Sequence, residues 1–130
     1  MDTVHATRRR PSPPEAPLDL HAAATALLDE AHGLAAGRSA RTLTPGGGAA
    51  LKQTLLALTA GQRLQDHVAP GPTTLTGIVG TAVLRHEDRD LTLAAGQWAS
   101  CPTDPHSLEA ETDTVLLITV VTDTVDDRND

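Results

Sequence analysis

One short unit, used twice, constrains this chain more than anything else in it. From Gly61 to Gly80 the sequence reads GQRLQDHVAPGPTTLTGIVG: a glycine turn, His67, a Pro-Gly-Pro turn, an alternating stretch and a closing glycine. From Gly96 to His106 it reads GQWASCPTDPH: a glycine turn, a short apolar stretch, a proline-rich turn and a histidine. Short strands punctuated by Gly and Pro turns pair antiparallel and close into a sandwich or barrel. Two strand–turn–histidine units in such a barrel direct His67 and His106 toward one interior pocket.

Composition then sets what can fill the interior. The 130 residues include no Phe, no Tyr and a single Trp, so the core of this one domain is aliphatic. The formal net charge of -7 argues against a nucleic-acid partner, which needs a basic face. The lone cysteine, Cys101, excludes an internal disulfide and fits a reducing cytoplasm, where the chain is expected to reside. No apolar run approaches membrane-spanning length. Arg8, Arg9 and Arg10 are followed by Pro11 and then by Asp19, His21, Asp29 and Glu30, a pattern that does not suit a signal peptide. No membrane partner is expected.

The chain divides into four parts. Residues 1–17, with four prolines and few apolar side chains, read as a disordered Pro/Arg-rich arm. Residues 18–37 read as a helix capped by Asp19 and stopped before Gly37. Its apolar face is Leu20, Ala24, Leu27, Leu28, Ala31 and Leu34, suited to docking on the domain or on a second subunit. Residues 38–122 form the barrel, with strands at 51–58, 64–67, 73–79, 81–85, 91–93, 97–101, 106–110 and 115–121. The last, VLLITVV, is the most apolar and is expected at the centre. Residues 123–130 read as an acidic tail. Pro45-Gly46-Gly47-Gly48 lacks the Gly-Lys-Ser/Thr ending of a phosphate loop and is read as a turn.

These residues resemble the cupins, small jelly-roll β-barrels. The first cupin motif is Gly, five residues, His-x-His, three or four residues, Glu, six residues, Gly. Gly61, His67 and Gly80 match it, whereas Ala69 stands at the second His and Thr73 at the Glu. The second motif is Gly, five residues, Pro-x-Gly-x-x-His, three residues, Asn. Gly96, Pro102 and His106 match with the turn one residue shorter, and Ala110 stands at the Asn. The resemblance covers roughly Leu51 to Val121, and with the helix ahead of it the chain also resembles short single-domain actinobacterial cupins. It implies an all-β jelly roll preceded by one helix. It also implies a site where three His and one Glu hold Fe, Mn, Ni or Zn. With Ala69 and Thr73 at two ligand positions, His67 and His106 alone make a weak metal site. A metal-free pocket is therefore the favoured expectation over a bound divalent ion.

Cupins span many reactions and many non-catalytic roles, so the resemblance transfers no activity. Three functions stay open. His67 and His106 could act as general base and acid in isomerase, cyclase or oxygenase-type chemistry on a small metabolite, with or without metal. The barrel could instead bind or sense a small molecule without turnover. The arm and helix could recruit a partner. Pocket residues beside the His pair are expected to be Gln65, Thr73, Leu75, Trp98 and Cys101. Cys101 reads as a small buried thiol and His86, in a charged turn, as exposed. An exposed sheet edge and a leucine-faced helix make a homodimer the expected assembly.

Overall fold

A computed structural model of the chain describes residues 16–44, 50–67, 70–102 and 104–122. Residues 1–15 of the expected arm, the acidic tail and the Pro45–Gly48 turn lie outside them, as does Ala69. Among the described residues one helix precedes nine strands: α1 (Leu20–His32), β1 (Arg38–Thr42), β2 (Leu51–Leu58), β3 (Arg63–His67), β4 (Thr73–Val79), β5 (Thr81–His86), β6 (Arg89–Ala94), β7 (Trp98–Ser100), β8 (His106–Ala110) and β9 (Thr114–Val121). The strands form two antiparallel sheets, ordered β1-β2-β9-β4-β7 and β3-β8-β5-β6. The sheets face each other as an all-β jelly roll. No described helix is long and apolar enough to cross a membrane.

The apolar run in β9 follows from its position. β9 lies at the centre of the first sheet, between β2 and β4, and both of its faces are covered. Leu116 and Ile118 point into the barrel with Leu58, Leu75, Leu84 and Leu108. Val115 and Leu117 point the other way, with Leu55 and Ala57, toward α1. A strand buried on both faces has no polar side to alternate with. The helix supplies small residues to that outer face: Ala23, Ala24, Leu27 and Ala31 are buried there. Alanine at the contact lets helix and sheet approach closely, and this second core replaces bulk that a chain without Phe or Tyr lacks.

α1 begins where expected, with Asp19 Oδ1 accepting the Ala22 N–H at 3.0 Å. It ends earlier, at His32, because Gly33 takes the C-cap and its N–H bonds back to Glu30 O. Leu34 therefore lies past the helix and is 49% exposed rather than part of the buried face. β1 was not legible, since RSART has no apolar pattern; it is held as an edge strand by backbone pairing to β2.

Asp113, in the β8–β9 turn, ties three segments together. Its Oδ1 accepts the Ala60 N–H at 2.9 Å, and its Oδ2 meets His32 Nε2 at 2.7 Å. The Ala60 N–H first, and His32 second, hold its carboxyl below the ordinary 3.8. A carboxyl with a depressed folded-state pKa stabilises the fold above its unfolded value and loses that contribution as pH falls through the folded value. Asp113→Ala is thus expected to cost about 1 kcal/mol at neutral pH, mostly from the Ala60 bond, since solvent screens the His32 pair. The deficit relative to wild type should shrink in urea unfolding carried out well below pH 3.8. A deficit independent of pH would assign the loss to packing instead.

Candidate functional site

The barrel encloses a cavity of about 110 Å³, partly open to solvent. Its walls are aliphatic: Leu75 from β4, Leu84 from β5, Leu108 from β8, Ile118 and Val120 from β9, with Leu64 from β3. Three polar side chains break that lining: Thr73, Cys101 and His106.

Local sequence places each of the three. Thr73 opens β4 after the Pro-Gly-Pro turn, and its Oγ1 donates to Gly71 O at 2.8 Å. Thr73 O in turn accepts the Cys101 N–H at 2.9 Å, which fixes the chain just beyond β7. Cys101 is thereby held against the cavity. His106 opens β8 after Pro105 and is only 3% exposed. Its Nδ1 lies 2.9 Å from Asp104 O, and its Nε2 lies 3.2 Å from Cys101 Sγ. A carbonyl can only accept, so Nδ1 carries the proton and Nε2 presents a lone pair toward the thiol. Backbone thus sets the tautomer, and Cys101 S–H donates to the ring.

Burial pushes the Cys101 thiol above its ordinary value of 9.0. The thiol therefore keeps its proton beside the ring, unlike the thiolate of a cysteine nucleophile. Iodoacetamide should label Cys101 more slowly than an exposed cysteine at neutral pH. The rate should climb with pH to an inflection above 9.0. An inflection below that value would show a charged pair and an activated thiol.

The expected pocket set divides. Thr73, Leu75, Cys101 and His106 line the cavity. Trp98 does not: it is 63% exposed, on edge strand β7, beside Leu91 in a separate surface depression. Strand alternation explains the correction, because buried Ala99 takes the inward position and turns its neighbour Trp98 outward. Gln65 is exposed on β3 and is not part of the lining, whereas its neighbour Leu64 is. The backbone of His67 pairs directly with His106 across β3 and β8; its side chain lies outside the described residues.

His86 is also corrected. It shares the inward face of β5 with Ala82 and Leu84, two-residue spacing that was readable in TAVLRH but hidden by the charged turn after it. Its side chain is only 25% exposed.

No family model matches the sequence, and no curated protein does. Solved structures do match the fold. A cupin superfamily protein from Desulfitobacterium hafniense superposes with TM-score 0.66 at 17% identity, covering 85% of this chain and 94% of that one. This chain has the cupin fold. A conserved protein of unknown function from Streptococcus pyogenes matches at 29% identity and TM-score 0.59, over 65% of this chain and 74% of that one. A salicylate 1,2-dioxygenase from Pseudaminobacter salicylatoxidans matches at 22% identity and TM-score 0.65. It covers 77% of this chain, which spans only 33% of that longer protein.

The cupin metal set can now be tested against the residues present. Its carboxylate position is Thr73, whose hydroxyl is engaged with Gly71 O. Among the described residues His106 is the one imidazole on the cavity wall, and no carboxylate lines the cavity. Among the described residues, this donor set does not fit the three-His, one-Glu centre that the fold family implies.

Proposed function

We propose that this cupin binds a small, mainly apolar organic molecule inside the barrel, anchored through a single hydroxyl at His106. One observation carries the reading: a buried imidazole with its tautomer fixed by backbone, at the polar end of an otherwise aliphatic cavity. With Nδ1–H given to Asp104 O, Nε2 is an acceptor. The preferred ligand therefore donates a proton to it, as an alcohol or phenol does, and displaces the weaker S–H donor of Cys101. The cavity, at about 110 Å³, is smaller than the roughly 150 Å³ site known to hold benzene. A ligand of that size or larger must extend through the open side.

Ligand-observed NMR on a panel of small alcohols, phenols and their hydroxyl-free analogues tests this. Binding of hydroxyl-bearing members, weakened in their analogues, supports the reading. Equal binding of both classes, or none of either, sinks it.

A second reading, acid–base catalysis, is favoured by one specific observation: the register that sets His67 directly opposite His106. A histidine at each of two paired backbone positions is a combination that could move a proton next to a carbonyl. Deuterium uptake at such a carbon, lost in both His67→Ala and His106→Ala, supports it. Uptake surviving either substitution would remove it.

A further inference from the structure

The β5–β6 turn and the loop before β8 bring His86, Glu87 and Asp104 together, with one ligand atom from each inside a 4.8 Å span. None of the three lines the barrel cavity, and none stands at a cupin motif ligand position. Acidic groups at a surface often gather without a cation, so proximity alone decides nothing. The deciding observation is His86 Nε2. It is shielded from solvent and, among the described residues, has no hydrogen-bond partner, although Asp104 Oδ2 stands 3.4 Å away. A buried ring nitrogen left without a bond is uncommon in a folded protein.

The 3.4 Å gap is informative in itself. It is within ion-pair range when the ring is protonated, yet longer than the roughly 2.7–2.9 Å of a charge-assisted hydrogen bond. It is too short for a water molecule to bridge the two atoms in line. It does match two ligands of one metal ion. Nitrogen and oxygen donors each about 2.1 Å from a shared ion, at a near-tetrahedral angle, stand about 3.4 Å apart.

We propose that His86, Glu87 and Asp104 form a surface site for one borderline divalent transition-metal ion of the Zn²⁺ class, with water completing the shell. An imidazole donor selects Zn²⁺ over Mg²⁺ and Ca²⁺, which prefer oxygen alone. Two carboxylates neutralise the ion. Arg89 and Asp90 share the adjoining depression, and Asp90 is bonded to Arg85 at 2.7 Å, so Arg89 is the opposing charge that keeps the affinity modest. The site has a consequence for the barrel. Asp104 would hold the ion with its side chain while its backbone oxygen holds His106 Nδ1 at 2.9 Å. An occupied site therefore fixes the carbonyl that orients the cavity imidazole, a positioning effect independent of what the cavity binds.

Calorimetric titration of the untagged full-length chain with Zn²⁺, and separately with Mg²⁺, tests the proposal. One Zn²⁺ per chain is expected, with no heat from Mg²⁺ at the same concentrations. His86→Ala and Asp104→Asn should each weaken Zn²⁺ by about tenfold or more. Glu87→Gln, in an exposed turn where folding is not at stake, should weaken it as well. His106→Ala should alter it only slightly, through the shared Asp104, and His32→Ala should leave it unchanged. Zn²⁺ should also shift the His106 imidazole resonances of wild type but not of Glu87→Gln. Affinity unaltered by both His86→Ala and Glu87→Gln overturns the site. So does loss of binding in His106→Ala or His32→Ala in their place, which would put the ion in the cavity or on the helix.

Discussion

Gly77→Ala is expected to destabilise the barrel by about 3 kcal/mol or more, a large fraction of the stability of a chain of this size. Gly77 has no unusual φ; the reason lies in what passes over it. The β6–β7 turn crosses β4 there, with Gly77 N–H donating to Gln97 O and Gly96 N–H donating to Gly77 O, each at 2.8 Å. A β-carbon at residue 77 would land on Ala94 O, with Ala94 C only 2.8 Å away and Ala95 N at 3.2 Å. All of these are backbone atoms, so no rotamer relieves the overlap, and parting the segments breaks both hydrogen bonds. Gly61 and Gly96 provide the contrast. Their φ values of +88° and +85° disfavour any side chain, but nothing lies within 4 Å of the added carbon. Alanine at either should cost only about 1–2 kcal/mol. Urea unfolding of the three variants separates the two causes. If Gly77→Ala loses no more than Gly61→Ala, the crossing of β4 by the turn is not as close as described here.

The same glycine shows how much of this fold the sequence carried. TTLTGIV announced a strand by alternation, and the alternation is real: Thr73, Leu75 and Gly77 face inward. The requirement for glycine was invisible, because it is set by a turn about twenty residues further along the chain. Turn glycines, the Asp19 cap and the central position of VLLITVV were legible because each depends on local chemistry or on a residue's own neighbours. β1 was not, since an edge strand held by backbone bonds needs no apolar pattern. The site divides on the same principle. His106 and Thr73 were found through motif spacing. Trp98 was misplaced because a lone aromatic suggests burial, while strand parity turned it outward. His86 was missed because charge in the following turn outweighed parity along β5. The Cys101–His106 contact could not be read at all, since nothing in the spacing of the two residues says that thiol and ring meet.

His106→Leu is the substitution expected to change ligand binding most while leaving the protein folded. Leucine approximates the volume of imidazole and suits the aliphatic wall, so the barrel keeps its shape. The stability change should stay near 1 kcal/mol, since the variant gives up the bond to Asp104 O but leaves that loop carbonyl able to bond water. A bound hydroxyl has no such recourse. Inside the cavity it loses its only proposed acceptor and is left desolvated, at about 1–3 kcal/mol, or roughly one to two orders of magnitude in affinity. Cys101→Ala gives the opposite sign. It removes the thiol that competes for Nε2 from 3.2 Å, so affinity for a hydroxyl-bearing ligand should hold or improve. His67→Leu separates binding from catalysis: the binding reading expects a small change in affinity, and the acid–base reading expects turnover to vanish. Isothermal titration with the best alcohol or phenol from the NMR panel measures all three variants. Affinity that survives His106→Leu would show that the aliphatic wall alone selects the ligand, and the imidazole would then have to be explained by its bond to Asp104 and the loop it secures.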